Sequence, residues 1–369
     1  MLYVTKPTLP NFLNLYKWYR KLNKSKILTN YGPINSEFEK KLSEFANTKY
    51  CVTTCNGTMG LLSLINTLDR KKGEIITTPY SFVATSNAII KSGYKAVFVD
   101  TDKGTGNISP INVKKAITDN TVAILAVPIY GQWPDDDNLR EICEEKKIKL
   151  FYDSAHGFGV KKNNESLLSL GDASVTSFHA TKTLHTFEGG AVFTNCEKTY
   201  KELKLYLNFG FSGEDFVDVI GVNGKMSEIH AAIGIDELNN YNKNLKKRKI
   251  IFDLYVQKLP KSITQIANSM GSINSNYGYF PIRVSESTNN VTRDYLYDYL
   301  KSKNIYVRKY FYPLINQYQA YKKDRSFWRE PFECLNAKKI SEEILCLPIY
   351  SELRRKDCLK ICDNINSII

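Results

Sequence analysis

The chain is expected to fold as an α/β protein built on a mainly parallel sheet, and three features of the sequence carry that expectation. Short apolar runs recur at 73–79, 95–100, 121–128 and 147–153 within 369 residues. They are near-continuously hydrophobic rather than alternating, as strands are when helices cover both faces of a sheet. Helical patterning fills the gaps at 81–92, 111–117 and 137–146, so strand and helix alternate. A content of 43% hydrophobic and 24% charged residues fits a folded chain of more than one domain.

Taken in order, Asn56-Gly57-Thr58-Met59-Gly60 opens an apolar helical stretch at 61–68. Its backbone N–H groups and helix dipole would cradle a phosphate, and the same residues would also serve as an ordinary turn and cap. Ligands of such sheets gather beyond the carboxyl ends of the strands. That singles out Pro79-Tyr80-Ser81-Phe82 after one strand and Asp153 at the end of another. Asp153 reads either as a buried carboxylate or as a cap or turn aspartate.

From 174 to 193 the pattern is strand, polar turn, strand, and the turn carries Lys182. Small and aromatic neighbours would strip water from its ammonium group and lower its pKa, and a neutral amine is what forms a Schiff base. The plainer reading is a lysine that snorkels to solvent. His156, His179 and His185 crowd into this region, whereas His230 stands apart. A long helix expected over 227–259 then leads to an apolar run at 278–283, a helix at 292–303 and a strand at 305–308, which together read as a smaller α+β domain.

Several function classes lose support. The net charge of +13 is spread along the chain, and the densest cluster, 243–249, reads as the solvated face of a helix, so no nucleic-acid partner is expected. A positive field would still draw in a phosphorylated substrate. There is no Gly-x-x-x-x-Gly-Lys-Ser/Thr loop and no Gly-x-Gly-x-x-Gly after the first strand. Eight cysteines form no Cys-x-x-Cys pair and lack matching histidines, so no metal site is expected. No apolar run is long enough to span a bilayer and the opening residues lack a signal-peptide stretch, which points to no membrane and a cytoplasmic location.

Four segments in order, Asn56-Gly57-Thr58-Met59-Gly60, Thr78-Pro79-Tyr80-Ser81-Phe82-Val83-Ala84-Thr85, Tyr152-Asp153-Ser154-Ala155-His156 and Ser177-Phe178-His179-Ala180-Thr181-Lys182, resemble the DegT/StrS-type nucleotide-sugar aminotransferases of the fold type I pyridoxal-phosphate class. A fifth, running from Gly221 through Asn223, Lys225 and Met226 to Gly234, is similar to another hallmark of that family. Leu28-Thr29-Asn30-Tyr31-Gly32-Pro33 and Leu347-Pro348-Ile349-Tyr350 extend the likeness over the whole chain. The resemblance implies a large cofactor-binding domain over 1–240, with a mainly parallel seven-stranded sheet between helices, and a small C-terminal α+β domain over 241–369.

Carried over residue by residue, it implies that Lys182 bonds pyridoxal 5'-phosphate and shuttles the proton, with pyridoxamine phosphate as the intermediate form. Asp153 would pair with the pyridinium nitrogen and Phe82 would stack on the ring. Thr58, Ser177 and the Met59 backbone N–H would hold the phosphate, and Asn223 would reach it from the other subunit of a homodimer. His156 stands where many relatives carry glutamine near the phenolic oxygen, so the charge there would vary with pH. Lys225 replaces an arginine common before Met-Ser-Glu, which removes a bidentate fork.

Ser177-Phe178-His179 before Lys182, with Glu188-Gly189-Gly190 after it, looks like enzymes that aminate C-4. The expected substrates are therefore dTDP-4-keto-6-deoxy-D-glucose and L-glutamate, in O-antigen or other surface-glycan synthesis. Amination at C-3 or on a UDP sugar stays open, as does a non-catalytic regulatory protein on the same scaffold, which would need an added DNA-binding module. Relatives that dehydrate at C-3 carry histidine in place of the lysine, and Lys182 argues against that chemistry.

Overall fold

The computed structural model describes residues 1–69, 72–265 and 273–369. The expected strands form at Glu74–Thr77, Lys95–Phe98, Thr121–Ala126 and Lys149–Asp153, buried along most of their length. Among the described residues they belong to an eight-stranded sheet in the order Tyr50–Thr54, Gly190–Thr194, Ala173–Ser177, Lys149–Asp153, Thr121–Ala126, Glu74–Thr77, Lys95–Phe98, Trp328–Arg329. Gly190–Thr194 pairs antiparallel with both neighbours, and the remaining pairings are parallel.

The sheet thus has one strand more than the seven expected, and the addition has a local cause. Trp328 is buried and its indole N–H donates to the Tyr321 carbonyl at 2.9 Å. Arg329 forks onto Glu74, with Nε at 2.7 Å from Oε1 and one terminal nitrogen at 2.6 Å from Oε2. A charge-assisted bidentate pair fixes geometry as well as adding energy. Two residues in a polar stretch are too short to show periodicity, which is why sequence reasoning passes over them.

Adjacent residues of the central strands serve opposite cores, as a period of two requires. Ile75 and Leu125 pack with Val52, Leu64 and Ile65 on one face. Ile76 and Ile124 pack with Leu139, Ile142 and Tyr152 on the other. The helix Gly57–Ile65 has only nine residues, which alone would be marginal in water. Full burial of Leu64 and Ile65, worth about 1.5–3 kcal/mol each, holds it to the sheet.

The long helix Glu228–Lys258 crosses from these cores to a second one, where Tyr255 meets Phe280, Ile282, Leu300 and Leu345. A three-stranded antiparallel sheet, Thr264–Gln265, Phe280–Arg283, Ile344–Leu347, lies there. The strand expected over 305–308 reduces to isolated bridges, Ile305 with Leu2 and Arg308 with Cys346. Among the described residues no helix is long and apolar enough to cross a membrane.

Candidate active site

The carboxyl ends of the large sheet open on a cavity of about 380 Å³. Phe82 reaches it from the turn after Glu74–Thr77, Asp153 and Ser177 from the ends of two adjacent strands, and Lys182 from the turn that follows Ala173–Ser177. Tyr279, Arg308, Tyr310 and Phe311, from the C-terminal third of the chain, close the opposite wall.

Lys182 is half-buried, and its Nζ donates to the Tyr279 hydroxyl at 3.2 Å. Loss of hydration brings its pKa down from the ordinary 10.5 to about 8, against an opposing pull from the Asp153 charge. Asp153 is buried, and burial pushes its own pKa up. Two donors work against that: the Thr85 hydroxyl at 2.6 Å from Oδ2 and the Ala155 N–H at 3.3 Å from Oδ1. Ser81 stands behind Thr85, with the two hydroxyl oxygens 2.7 Å apart. A buried carboxylate near a weakly basic amine is the pairing a protonated heterocycle and a carbonyl would need.

Beside them sits a backbone cradle. A Cβ on Gly57 would lie 3.0 Å from Cβ of Ser177, and one on Gly190 would lie 2.7 Å from the Gly57 nitrogen. No side chain fits between the start of this helix and the neighbouring strands, so the helix start sits directly against them at the cavity. Gly57, Thr58 and Ser177 line the cavity. Met59 does not, and its N–H, expected at the phosphate, donates here to the Asn56 side chain at 2.9 Å, capping the helix.

His156 also departs from expectation. The Tyr130 backbone N–H donates to its Nδ1 at 3.0 Å, which places the ring proton on Nε2. Burial, with Lys182 nearby, holds its pKa well below 6.5, so its charge does not vary across the physiological range as the sequence suggested. The ring lies parallel to that of Phe311, with centroids 5.9 Å apart. Phe82, by contrast, is 60% exposed at the cavity mouth, its ring 6.4 Å from Phe311. An exposed aromatic face on a cavity wall suits a flat heterocycle. Asn223 is exposed, bridged to Asn208, and outside this cavity's lining.

The sequence model of the DegT/DnrJ/EryC1/StrS aminotransferase family matches residues 15–366. The chain belongs to this family. DegT-type aminotransferases are pyridoxal-phosphate enzymes, and this chain is a sugar aminotransferase among them. The chain is similar to the dTDP-4-amino-4,6-dideoxy-D-glucose transaminase of Shigella dysenteriae, 42% identical over 95% of both chains. It is 38% identical to the transaminase of the same name from Escherichia coli, over 97% of this chain and 96% of the other. Among solved structures, DesI in the presence of its TDP-sugar product has a TM-score of 0.92 at 29% identity, covering 99% of this chain and 92% of the other.

The DegT-type fold therefore gathers Lys182, Asp153, His156, Phe82, Thr58 and Ser177 in one cavity and leaves Met59 and Asn223 outside its lining. The glycine-lined cradle, the buried carboxylate and the low-pKa amine suit the phosphate, ring nitrogen and aldehyde of pyridoxal phosphate. Sequence reasoning missed Tyr279, Arg308, Tyr310 and Phe311, because no motif marks them and only the tertiary fold brings them to the site. Asn56 and Thr85 were within reach, since each belongs to a quoted motif at cap or one-turn spacing.

Proposed function

We propose that this enzyme transfers the amino group of L-glutamate to C-4 of dTDP-4-keto-6-deoxy-D-glucose, giving dTDP-4-amino-4,6-dideoxy-D-glucose for O-antigen or another surface glycan. The observation that carries the chemistry is a half-buried amine, at a pKa of about 8, sharing one cavity with a buried carboxylate. Two relatives at 42% and 38% identity, whose names state that product, support the choice of sugar. So does the Ser177-Phe178-His179 and Glu188-Gly189-Gly190 pattern around Lys182.

Bound pyridoxal phosphate supplies an electron sink for the carbon that loses its proton. The protein's part is to hold and to move charge. Asp153, whose ionised form Thr85 and the Ala155 N–H favour, would keep the ring nitrogen protonated. Thr58, Ser177 and the open start of the helix would grip the phosphate, Phe82 would cover one ring face, and the Nε2–H of His156 would donate to the phenolic oxygen. Lys182, whose lowered pKa raises the fraction of neutral amine, would carry the proton away from the donor carbon and later return it to the sugar carbon.

The active form in this reading is a cytoplasmic homodimer, in which Asn223 of the partner subunit completes the phosphate site. Its support is that Asn223 lies outside the cavity of its own chain, beside exposed Phe209, Phe211, Phe216 and Val217 and a 96% exposed Ile220. We place the boundary between a large domain and a small one near residue 240, within the helix Glu228–Lys258.

The test is to incubate the purified protein with pyridoxal phosphate, L-glutamate and a panel of nucleotide keto sugars, and to identify products by mass spectrometry and NMR. The expected result is the 4-amino dTDP sugar and an equal amount of 2-oxoglutarate. An amine at C-3, or preferred conversion of a UDP sugar, removes the substrate assignment, and no amination of any sugar removes the reaction.

A further inference from the structure

Arg308 shares the Lys182 cavity, and its backbone is fixed there. Its N–H donates to the Cys346 carbonyl at 3.2 Å, and the Cys346 N–H donates back at 2.8 Å. Its side chain differs from those of other arginines near the second sheet. Arg283 donates to Glu343 at 2.8 Å, Arg293 to Asp294 at 2.6 Å, and Arg329 to Glu74. Among the described residues the Arg308 guanidinium makes no hydrogen bond or ion pair; it lies 5.7 Å from the Tyr310 ring centroid, exposed to the cavity.

The charges around the cavity give that guanidinium a task. The formally charged side chains lining it are Asp153, Glu188, Lys182 and Arg308. An amino-acid donor brings a carboxylate one bond from the carbon that reacts at Lys182, and that carboxylate would meet Asp153 and Glu188. Lys182 is weakly basic and is occupied by the chemistry, whereas a guanidinium stays protonated at any working pH. The nucleotide sugar carries its diphosphate on the anomeric carbon, across the hexose ring from C-4, so its anion stands much farther from the reacting atom. A planar guanidinium fork also matches a carboxylate bidentately.

We propose that Arg308 binds a carboxylate of the amino-acid donor. This assignment rests on the aminotransferase reading above and deepens it by naming the residue that receives the first substrate. Arg308 admits the donor by offsetting the cavity's two carboxylates, and it must release again with the keto acid before the sugar enters.

The experiment uses the holoenzyme and two non-reacting probes, glutarate for the donor and dTDP for the nucleotide, titrated calorimetrically against wild type, Arg308→Gln and Arg308→Lys. Because the side chain is exposed, both variants should keep the wild-type cofactor absorbance and Tm, which verifies folding. Losing one charge-assisted bidentate contact weakens glutarate by roughly 10- to 100-fold in Arg308→Gln. Arg308→Lys falls between, and dTDP binding stays within about twofold of wild type in both. Unchanged glutarate affinity in Arg308→Gln overturns the assignment, as does a loss confined to dTDP, which would give the guanidinium to the nucleotide. A wild-type holoenzyme that neither binds glutarate nor releases 2-oxoglutarate from L-glutamate overturns the donor reading itself, an outcome distinct from a failure of Arg308 alone.

Discussion

Thr85 donates its hydroxyl proton to Oδ2 of Asp153 at 2.6 Å, and this bond favours the ionised carboxylate against the burial that pushes its pKa up. Thr85→Val keeps the shape and deletes the donor. The Asp153 pKa then rises further, and the ionised fraction falls sooner as the medium turns acid. A hydrogen bond to a charged group is worth about 1.5–3 kcal/mol, so the acid limb of kcat/KM should move up by about one to two pH units. An acid limb unchanged in Thr85→Val would separate Asp153 from the reaction.

Lys182→Ala should abolish turnover together with the visible absorbance of bound cofactor. In cofactor-free protein, Lys182→Met should be more stable than wild type at pH 7. Folding lowers the Lys182 pKa from 10.5 to about 8, so between those values the unfolded chain holds the extra proton and wild-type stability rises with pH. The gap in Tm should therefore be widest below pH 8 and close by about pH 11. A gap independent of pH would assign the effect to packing instead.

His156 should stay neutral, with its proton on Nε2, throughout the range in which the enzyme works. Nitrogen-15 spectra of labelled histidine report this directly, and a titration midpoint near 6.5 for His156 would contradict it. His156→Gln, which retains an N–H donor, should keep the shape of the pH profile while lowering the rate by less than about tenfold.

Ile220→Asp places a charge in the exposed apolar loop beside Asn223. If two chains share the site, sedimentation should show weaker self-association, and the cofactor should bind less tightly in proportion to the monomer formed. Unaltered mass and cofactor affinity would move the subunit contact elsewhere.

The halves of this molecule differ in how openly the sequence declares them. The apolar runs ending at Thr77, Phe98, Ala126 and Asp153 announce buried strands, because burial on both faces leaves no room for polar alternation. Lys182 and Asp153 stand out for the same reason, as charged groups beside such runs. Tyr279, Tyr310 and Phe311 are ordinary aromatic residues in sequence, and their place opposite Lys182 depends on how the second sheet docks. The tautomer of His156 is equally hidden, since it follows from a backbone N–H at Tyr130, and Tyr130 comes from a different turn. The expected strand at 305–308 exists only as bridges, because Arg308 pairs with Cys346 while Ile305 turns to Leu2.

The short pairing of Trp328 and Arg329 with Ala96 and Val97 matters for a reason unrelated to catalysis. Without it the outer rim of the large sheet would present unpaired donors and acceptors along a greasy ladder, an invitation to any other extended polypeptide. The Arg329–Glu74 clasp keeps that rim shut. Damage to either residue should show itself first in the test tube as clumping at high protein concentration, while individual molecules still turn over substrate.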